Sequence, residues 1–558
     1  MPIIDDPEQI KRVEHLRKQE EEDLAQMLSK KYGVIYLDLS LVSINSDAIR
    51  LIPEVEARDA EVAAFGRVGK KISVAVRSPE NPKAKAVVQK LNELGYTTTV
   101  FMVSRDSLEH AWERYLDLSY AKGSTAGVFE ISSQSVEELL GKVNSVRDIS
   151  GLITDAVSMK RTYRVTRILE IILAGALATE ASDIHFEPEE LSVRLRFRLD
   201  GVLTDVLQID HETFHLLLSR LKLLSGLKLN ITSEAQDGRF SIKVKGSEIE
   251  IRSSVLPGSY AETAVLRVLN PETIGADMKS LGLEPKLFAL IEHEIAKPNG
   301  MILTTGPTGS GKTTTLYAFL KSINKPETKI ITIEDPIEYH LDGIVQTQID
   351  KKNYTFAQGL RSALRQDPDV IMVGEIRDAE VAETAVHASL TGHLVFTTLH
   401  TNNAAGTFPR LIDLGVSEKI LNSAINVAMA QRLVRKLCDK CKKPVAATKE
   451  QFEIIKRITD TIVDRSLVPQ DLGVVYQGAG CPACDGAGYK GRIGIFEAIV
   501  MDEKIEGLLR DKPSEREITK FARYQAIPSM QEDGILKALK GITSTDELSR
   551  VVDLTENF

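Results

Sequence analysis

Short apolar runs that alternate with amphipathic stretches are the main pattern in the second half of the chain. Four of these runs are four to seven residues long, as buried parallel strands are, and helical patterns separate them. The predicted strands cover residues 301–305, 329–334, 370–373 and 393–399. Strands alternating with helices predict a parallel sheet covered on both faces, with ligands at the carboxyl ends of its strands.

The same alternation on a smaller scale predicts an α/β domain at residues 1–120. Its predicted strands are 35–37, 72–76 and 97–103, and its predicted helices are 82–94 and 107–120. A charged amphipathic helix precedes them, with a start signal at Asp6 and Pro7. This domain has no motif with chemistry, and we interpret it as a docking module.

A stretch rich in Gly and Ser, residues 121–163, is interpreted as a linker. A second small α/β domain, residues 164–275, is predicted after it. In its strand 192–199 arginines alternate with apolar residues, so that one face is buried and the other presents three guanidinium groups. That face is either an ordinary charged surface or a set of arginines that contacts a phosphate. Arg239 and Arg252, on later strands, are further candidates for such a phosphate contact.

Composition narrows the class of protein. The chain has 558 residues, which suggests three or four domains, and its net charge of −9 argues against a general nucleic-acid binder. No apolar run reaches the ~18 residues of a membrane span. The charged amino terminus has no apolar signal core. We therefore expect a cytoplasmic protein that reaches a membrane only through partners.

A complete phosphate-binding loop follows the first predicted strand of the second half. Residues 306–313 spell GPTGSGKT, which matches G-x-x-x-x-G-K-[ST] between that strand and a predicted helix over 313–320. Its glycines let backbone N–H groups turn toward phosphates at the positive end of the helix. Lys312 would reach the β- and γ-phosphates, and the Thr313 hydroxyl would bind Mg²⁺. The loop predicts binding of a nucleoside triphosphate.

Carboxylates follow the next two predicted strands. The second strand continues into EDPIE, which ends at Glu338, and the third continues into Gly-Glu at Glu375. Beside a phosphate loop, these acidic strand ends predict a site for Mg²⁺ and an attacking water. His393 and His400 bracket the fourth strand. Their odd separation places them on opposite faces of an ideal strand, so both would contact one phosphate only if the strand ended between them.

The base of the nucleotide is predicted to be adenine. Switch-type GTPases read guanine with Asn-Lys-x-Asp, and the nearest match here, residues 324–327, ends in Glu. ATP is therefore the expected nucleotide.

All four cysteines lie in two C-x-x-C pairs. One pair is Cys438 and Cys441, and the other is Cys481 and Cys484. In a reducing compartment such pairs predict a closed, structural Zn²⁺ site of four thiolates rather than disulfides. The 39 residues between the pairs must then fold back to bring the second pair to the first.

The motifs together resemble one family. GPTGSGKTTT, TIEDPIEY, LRQDPDVIMVGEIRD and TGHLVFTTLHTNNA resemble the Walker A, Asp, Walker B and His boxes of the secretion-type ATPases. ASDIHFEP, RFRLDGVL and QDGR resemble that family's PAS-like middle domain, and AQRLVRKLCDKC with GCPACDGAGYKGRIGIFE resembles its zinc subdomain. The first hundred residues resemble the amino-terminal domain of the longer members, so the resemblance covers nearly the whole chain.

The resemblance implies a RecA-like ATPase domain at 281–558, with a zinc subdomain at 432–500 and a helical tail. It implies that Glu338 is the general base, that Glu375 supports Mg²⁺ and water, and that His393 and His400 couple the γ-phosphate to a neighbouring interface. Arg239 and Arg252, with Arg196 less closely matched, would complete the site of an adjacent subunit. The nucleotide would contact Gly306, Pro307, Thr308, Gly309, Ser310, Gly311, Lys312, Thr313 and Thr314.

The resemblance also implies a homo-hexamer that drives an inner-membrane platform protein, with other assembly proteins reached through the first domain. Retraction motors of the family lack both the first domain and the cysteines, so the expected function is type IV pilus assembly, with the type II secretion pseudopilus as the alternative. A docking scaffold with little turnover and a DNA-translocating motor are weaker alternatives. The family's usual TNDA is TNNA here, at residues 401–404.

Overall fold

The computed structural model describes residues 21–39, 42, 44, 46–49, 51–68, 70–119, 128–129, 138–143, 145–157, 161–270, 275, 277–350 and 353–555. The chain divides into two compact units, Met1–Ala126 and Gly127–Phe558. The predicted helix start at Asp6 and Pro7 lies outside the described residues. Among those residues, no helix combines the length and apolar character that crossing a membrane requires.

The first unit is a small α/β fold around a four-stranded sheet of order β1-β4-β3-β2. Its strands are β1 (Ile35–Tyr36), β2 (Val62–Val68), β3 (Lys71–Val76) and β4 (Thr97–Met102). Its helices are α1 (21–32), α2 (Ser46–Ile49), α3 (Glu54–Asp59), α4 (Pro82–Glu93) and α5 (Arg105–Ser119). The three predicted strands are confirmed, whereas β2 was not predicted because its VAAFGRV sequence has weak strand propensity.

The second unit begins with a seven-stranded, mostly antiparallel sheet of order β5-β9-β10-β11-β6-β7-β8. These strands are β5 (Val128–Phe129), β6 (Asp183–Pro188), β7 (Val193–Leu199), β8 (Val202–Ile209), β9 (Gln236–Val244), β10 (Ser247–Leu256) and β11 (Thr263–Leu269). Helices α6 (Val146–Val157), α7 (Arg161–Ala178) and α8 (His211–Leu224) share its core. The predicted alternation of β7 is confirmed, because Val193, Leu195 and Phe197 are fully buried.

Part of the predicted linker belongs to this middle domain. β5 pairs with β9, and α6 buries Val146, Ile149 and Ile153 in the domain core. The middle domain therefore begins before residue 164. Apolar residues three and four apart make α6 amphipathic. The Gly- and Ser-rich sequence around it favoured a linker instead.

The carboxy-terminal part of the second unit is built on another seven-stranded sheet, of order β14-β13-β15-β16-β12-β17-β20. Its strands are β12 (Gly300–Thr305), β13 (Ile330–Glu334), β14 (Val345–Gln348), β15 (Val370–Val373), β16 (Leu394–Leu399), β17 (Ile425–Leu437) and β20 (Tyr489–Val500). All neighbours are parallel except β17 and β20. Along β12, Met301 and Leu303 join one apolar core and Ile302 joins the other, so both faces are covered as predicted.

Helices cover both faces of this sheet. They are α9 (Pro285–Ile295), α10 (Lys312–Ile323), α11 (Phe356–Ala363), α12 (Ala379–Leu390), α13 (Thr407–Asp413), α14 (Glu418–Ala424), α16 (Glu503–Leu509), α17 (Glu515–Ala522), α18 (Met530–Leu539) and α19 (Thr545–Val551). The cysteines lie in an excursion between β17 and β20, which also holds β18 (Lys442–Ala446), α15 (Lys449–Thr461) and β19 (Val474–Gly478). The predicted zinc subdomain of 432–500 was too wide, since both of its ends lie in strands of this seven-stranded sheet.

Candidate active site

The phosphate loop connects β12 to α10, at the carboxyl edge of the parallel sheet. Gly306, Gly309 and Gly311 have φ angles of 146°, 78° and 90°, which side chains rarely tolerate. A Cβ atom on Gly306 would also lie 2.6 Å from the Gln431 carbonyl oxygen. Thr313 and Thr314 lie half-buried in the first turn of α10. The loop thus presents backbone N–H groups at the start of a helix, which suits a bound anion.

Lys312 lies within this loop, in a partly desolvated position. Its ammonium donates to the carbonyl oxygens of Gly306, at 2.8 Å, and Pro307, at 3.2 Å. Burial lowers the pKa of Lys312, the nearby Glu375 carboxylate opposes that shift, and the Arg432 guanidinium adds to it. Lys312 therefore lies within electrostatic reach of one predicted site residue, Glu375, and of one arginine that was not predicted.

The two glutamates of the Asp box, residues 334–338, have different surroundings. Glu334 is buried and accepts hydrogen bonds from the Tyr317 hydroxyl and from Gln346. Burial raises the pKa of Glu334, so this carboxyl group is committed to the core. Glu338 instead reaches Arg252 of the middle domain, with 3.2 Å between Arg252 Nη1 and Glu338 Oε2. Arg252 also donates to the Ile337 carbonyl oxygen at 2.6 Å.

The end of β15 brings Glu375, Arg377 and His400 together. Glu375 forms an ion pair with Arg377, and His400 Nε2 lies 3.3 Å from Glu375 Oε2. Arg377 also approaches Asp335, with 3.9 Å between Nη1 and Oδ2. The side chain of Glu375 is only 16% exposed. Glu375 therefore lies in a charged cluster beside the phosphate loop, as a carboxylate that supports a metal ion and water must.

The structure separates the two predicted histidines. β16 covers Leu394–Leu399, so the strand ends between them. His400 follows β16 at the edge that carries the loop. His393 precedes β16, and its backbone carbonyl oxygen accepts from the Gly300 backbone N–H at the start of β12. Six strand residues place the two histidines about 20 Å apart along the sheet. Within one chain, His393 is therefore not part of the phosphate site.

The predicted arginines also differ in what they contact. Each arginine of β7 pairs with an acid of its own domain: Arg194 with Asp205, Arg196 with Glu187 and Arg198 with Asp183. The outer face of β7 is thus a paired charged surface.

Arg239 is largely exposed, with Glu250 at 3.8 Å. Arg252 was predicted to act on an adjacent subunit, but the structure places it against the Asp box of its own chain. Arg252 and Glu338 lie 86 positions apart in sequence, so no local pattern could have paired them.

Three residues near the loop were not predicted. Gln431 donates to the Ser310 carbonyl oxygen at 2.7 Å. Arg432 donates to the Asn402 carbonyl oxygen at 2.8 Å, and Glu497 accepts from the Ala404 backbone N–H at 2.8 Å. All three lie on β17 and β20. Neither strand was predicted from the sequence, so nothing placed these residues beside the loop.

The four cysteines converge as the spacing predicted. All four Sγ atoms lie within 4.8 Å of one another, and the closest pairs are 3.7 and 3.8 Å apart. Four sulfurs bound tetrahedrally at about 2.3 Å from one Zn²⁺ would lie about 3.8 Å apart. A disulfide needs about 2.05 Å between sulfurs. The ligand set therefore fits a structural zinc ion.

A parallel sheet, a phosphate loop at its carboxyl edge and an acidic strand end beside the loop define a P-loop nucleotide hydrolase. The sequence profile of the family described as "Type II/IV secretion system protein" matches residues 159–550, and that of the MshEN domain matches residues 32–121. The chain belongs to the family of type II/IV secretion system proteins, and it is an ATPase.

Relatives of the chain carry two kinds of name. Type II secretion system protein E of Pseudomonas aeruginosa is 42% identical over 446 residues, which is 79% of this chain and 86% of that protein. The type IV pilus assembly ATPase PilB of Myxococcus xanthus is 36% identical over 537 residues, which is 95% of this chain and 91% of that protein. The solved structure of the Yersinia pseudotuberculosis ATPase DotB shares the fold, with a TM-score of 0.50 and 21% identity over 70% of this chain and 93% of that one.

Proposed function

We propose that this chain hydrolyses ATP to drive assembly of a type IV pilus. The observation that carries the proposal is the extent of the match to the relative named as a pilus assembly ATPase. That match spans 95% of the chain, which is more than the second unit alone could account for. The same chain therefore combines the hydrolytic domain with the amino-terminal unit that the pilus relative also has.

Hydrolysis would proceed at the carboxyl edge of the ATPase sheet. The Lys312 ammonium would exchange the carbonyls of Gly306 and Pro307 for the β- and γ-phosphate oxygens, and Thr313 would hold Mg²⁺. Glu375, fixed between Arg377 and His400, would orient the metal ion and its water. The rest of the loop, from Gly306 to Thr314, would hold the phosphates through backbone N–H groups.

Glu338 is the proposed general base. It would take a proton from water as the water oxygen bonds to the γ-phosphorus and the bond to the bridging oxygen of ADP breaks. In this structure the Glu338 carboxylate is held in an ion pair with Arg252. Movement of the middle domain that transfers Arg252 from Glu338 to the phosphate would free the base. Arg239, whose side chain is 68% exposed, could then meet a phosphate or a neighbouring subunit.

The remaining parts of the proposal concern partners. We propose a homo-hexamer that works at the inner membrane by moving a platform protein, with the first unit contacting other assembly proteins. Zinc held by the four cysteines would fix the excursion between β17 and β20. No nucleic-acid partner is proposed.

Type II secretion is the second candidate. It is favoured by identity rather than coverage, since the relative named for that system is 42% identical to this chain and the pilus relative is 36% identical. In that case the same ATPase cycle would extend a pseudopilus.

Deletion of the gene in the source organism distinguishes the two candidates. Complementation would use wild type or Glu338→Gln, with immunoblots to show equal protein levels, while surface pili are counted and secreted proteins are assayed. Pili that disappear and return only with wild type support the pilus proposal. Intact pili with secreted enzymes retained inside the cell would overturn it in favour of type II secretion.

A further inference from the structure

We propose that Arg432, supported by Glu497, is a positioning residue for ATP hydrolysis that ties the phosphate loop to the segment carrying His400. The proposal rests on the ATPase activity and not on which machine the ATPase drives. It concerns two side chains on β17 and β20, outside the four nucleotide boxes.

β17 runs beside β12 and continues past the phosphate loop. Ala430 is the register partner of Thr305, the last residue of β12, so the next two residues of β17 lie beneath the loop. Gln431 is buried and donates to the Ser310 carbonyl oxygen at 2.7 Å. Arg432 Nη1 would lie 3.0 Å from a Cβ atom on Gly306, so its guanidinium packs against the start of the loop. One dipeptide thus contacts the loop at its start and near its middle.

From there Arg432 reaches across β12 to the far side of the loop. Its Nη2 donates to the Asn402 carbonyl oxygen at 2.8 Å, and its Nη1 donates to the Gln431 carbonyl oxygen at 3.0 Å. Asn402 follows β16, which is the other neighbour of β12. The guanidinium therefore bridges the two strands that flank the phosphate-loop strand, beneath the loop itself.

Glu497 holds the next part of the same segment. Its Oε1 accepts from the Ala404 backbone N–H at 2.8 Å, and its Oε2 accepts from the Met530 backbone N–H at 3.1 Å. Burial lowers the pKa of Arg432 and raises the pKa of Glu497, and the electrostatic attraction between the two groups opposes both shifts. Thr305 adds a third tie, because its hydroxyl bonds to Thr401.

These contacts fix the backbone on which His400 stands. His400 contacts Glu375, and Glu375 and Arg432 both lie close enough to Lys312 to influence its pKa. A shift of the 400–404 segment would therefore move the His400–Glu375 pair relative to the phosphates. A misplacement of about 1 Å can cost about 100-fold in rate. Lysine cannot reproduce this arrangement, because its compact ammonium lacks the rigid planar fork whose two Nη atoms reach the Gln431 and Asn402 carbonyls separately.

The test is steady-state ATP hydrolysis and nucleotide binding by the purified full-length chain. Arg432→Lys keeps the positive charge and is expected to lower kcat by about 10- to 100-fold while changing the Kd of a fluorescent ATP analogue by less than about threefold. Arg435→Lys is the matched control. Arg435 lies on the same strand, but its guanidinium forms an ion pair with Glu547 at 2.6 Å. Arg435→Lys should therefore lower the melting temperature and leave kcat unchanged.

A double variant separates positioning from simple loss of structure. If Arg432 acts through the His400 segment, Arg432→Lys combined with His400→Ala should lower kcat little more than the stronger single change. Wild-type kcat in Arg432→Lys would overturn the proposal. So would a fall in kcat and binding that only follows a loss of folded protein, as measured by circular dichroism at the assay temperature. Either result would leave the pilus proposal untouched, because its test is made in cells.

Discussion

Replacement of Cys484 by serine tests whether the cysteine cluster is a zinc site. The four Sγ atoms already have the spacing of a tetrahedral site, at 3.7 and 3.8 Å for the closest pairs. Cys484 Sγ also accepts backbone N–H groups from Cys481, at 3.2 Å, and Gly488, at 3.3 Å. Although burial raises the pKa of the Cys484 thiol, these two donors contribute to lowering it to about 7. Cys484 is therefore the ligand whose thiolate the protein stabilises most clearly.

The free energy lost in Cys484→Ser can be estimated because four thiolates close the coordination shell of the zinc ion. Structural zinc contributes about 10–16 kcal/mol of apparent binding free energy in zinc-finger peptides. A serine hydroxyl is a poor zinc ligand at neutral pH, so the site should lose most of that free energy. The cysteine-bearing excursion, which connects β17 to β20, should then unfold locally while the core of the ATPase sheet stays folded.

The assay is metal analysis of the purified full-length chain, followed by thermal unfolding. Wild type should carry about one zinc per chain, and Cys484→Ser should lose it on dialysis against a chelator. Because the chain has four cysteines in all, cobalt substituted for zinc should give a thiolate absorption band only from this site. Asp439→Asn is the control, because Asp439 lies between two ligands but is exposed and pairs with Lys442. Wild type without zinc, or Cys484→Ser with a full complement, would refute the assignment.

Two further predictions concern stability. Lys537→Met should destabilise the ATPase domain by about 3–5 kcal/mol, because it leaves the buried Asp533 carboxylate without its cation, and Asp533→Asn in the same chain should restore much of the loss in urea unfolding. No rescue would refute that cause. Burial raises the pKa of Glu547, but its bonds to Arg550 and Arg435 outweigh this and hold the pKa below the ordinary value. Its contribution is thus present above the unfolded pKa of about 4.3 and is lost as pH falls through the lower folded value. Glu547→Gln should flatten that acid loss, and an unchanged acid slope would contradict this.

The nucleotide boxes were predictable because their signals are local. The strands that end at Thr305, Glu334, Val373 and Leu399 are short apolar runs, and a parallel sheet brings their carboxyl ends to one edge. The phosphate loop follows directly from the glycines, Lys312 and Thr313. The cysteines were predictable for the same reason, since two C-x-x-C pairs need only one fold-back to meet.

The rest depends on contacts between distant parts of the chain. Glu334 and Glu338 look equivalent in the sequence, but Tyr317 draws the first into the core and Arg252 takes the second. His393 shares a motif with His400, yet the direction of β16 puts it at the other edge of the sheet. Such outcomes depend on packing, which periodicity does not encode.

We propose above all that this site hydrolyses ATP with Glu338 as the base. The most direct measurement is phosphate release from Mg²⁺-ATP by purified wild type and Glu338→Gln, with ATP binding measured on the same samples. Glu338→Gln is expected to bind ATP as wild type does and to lose most of its turnover, by about 100-fold or more. Wild-type turnover in Glu338→Gln would contradict it and remove Glu338 as the base.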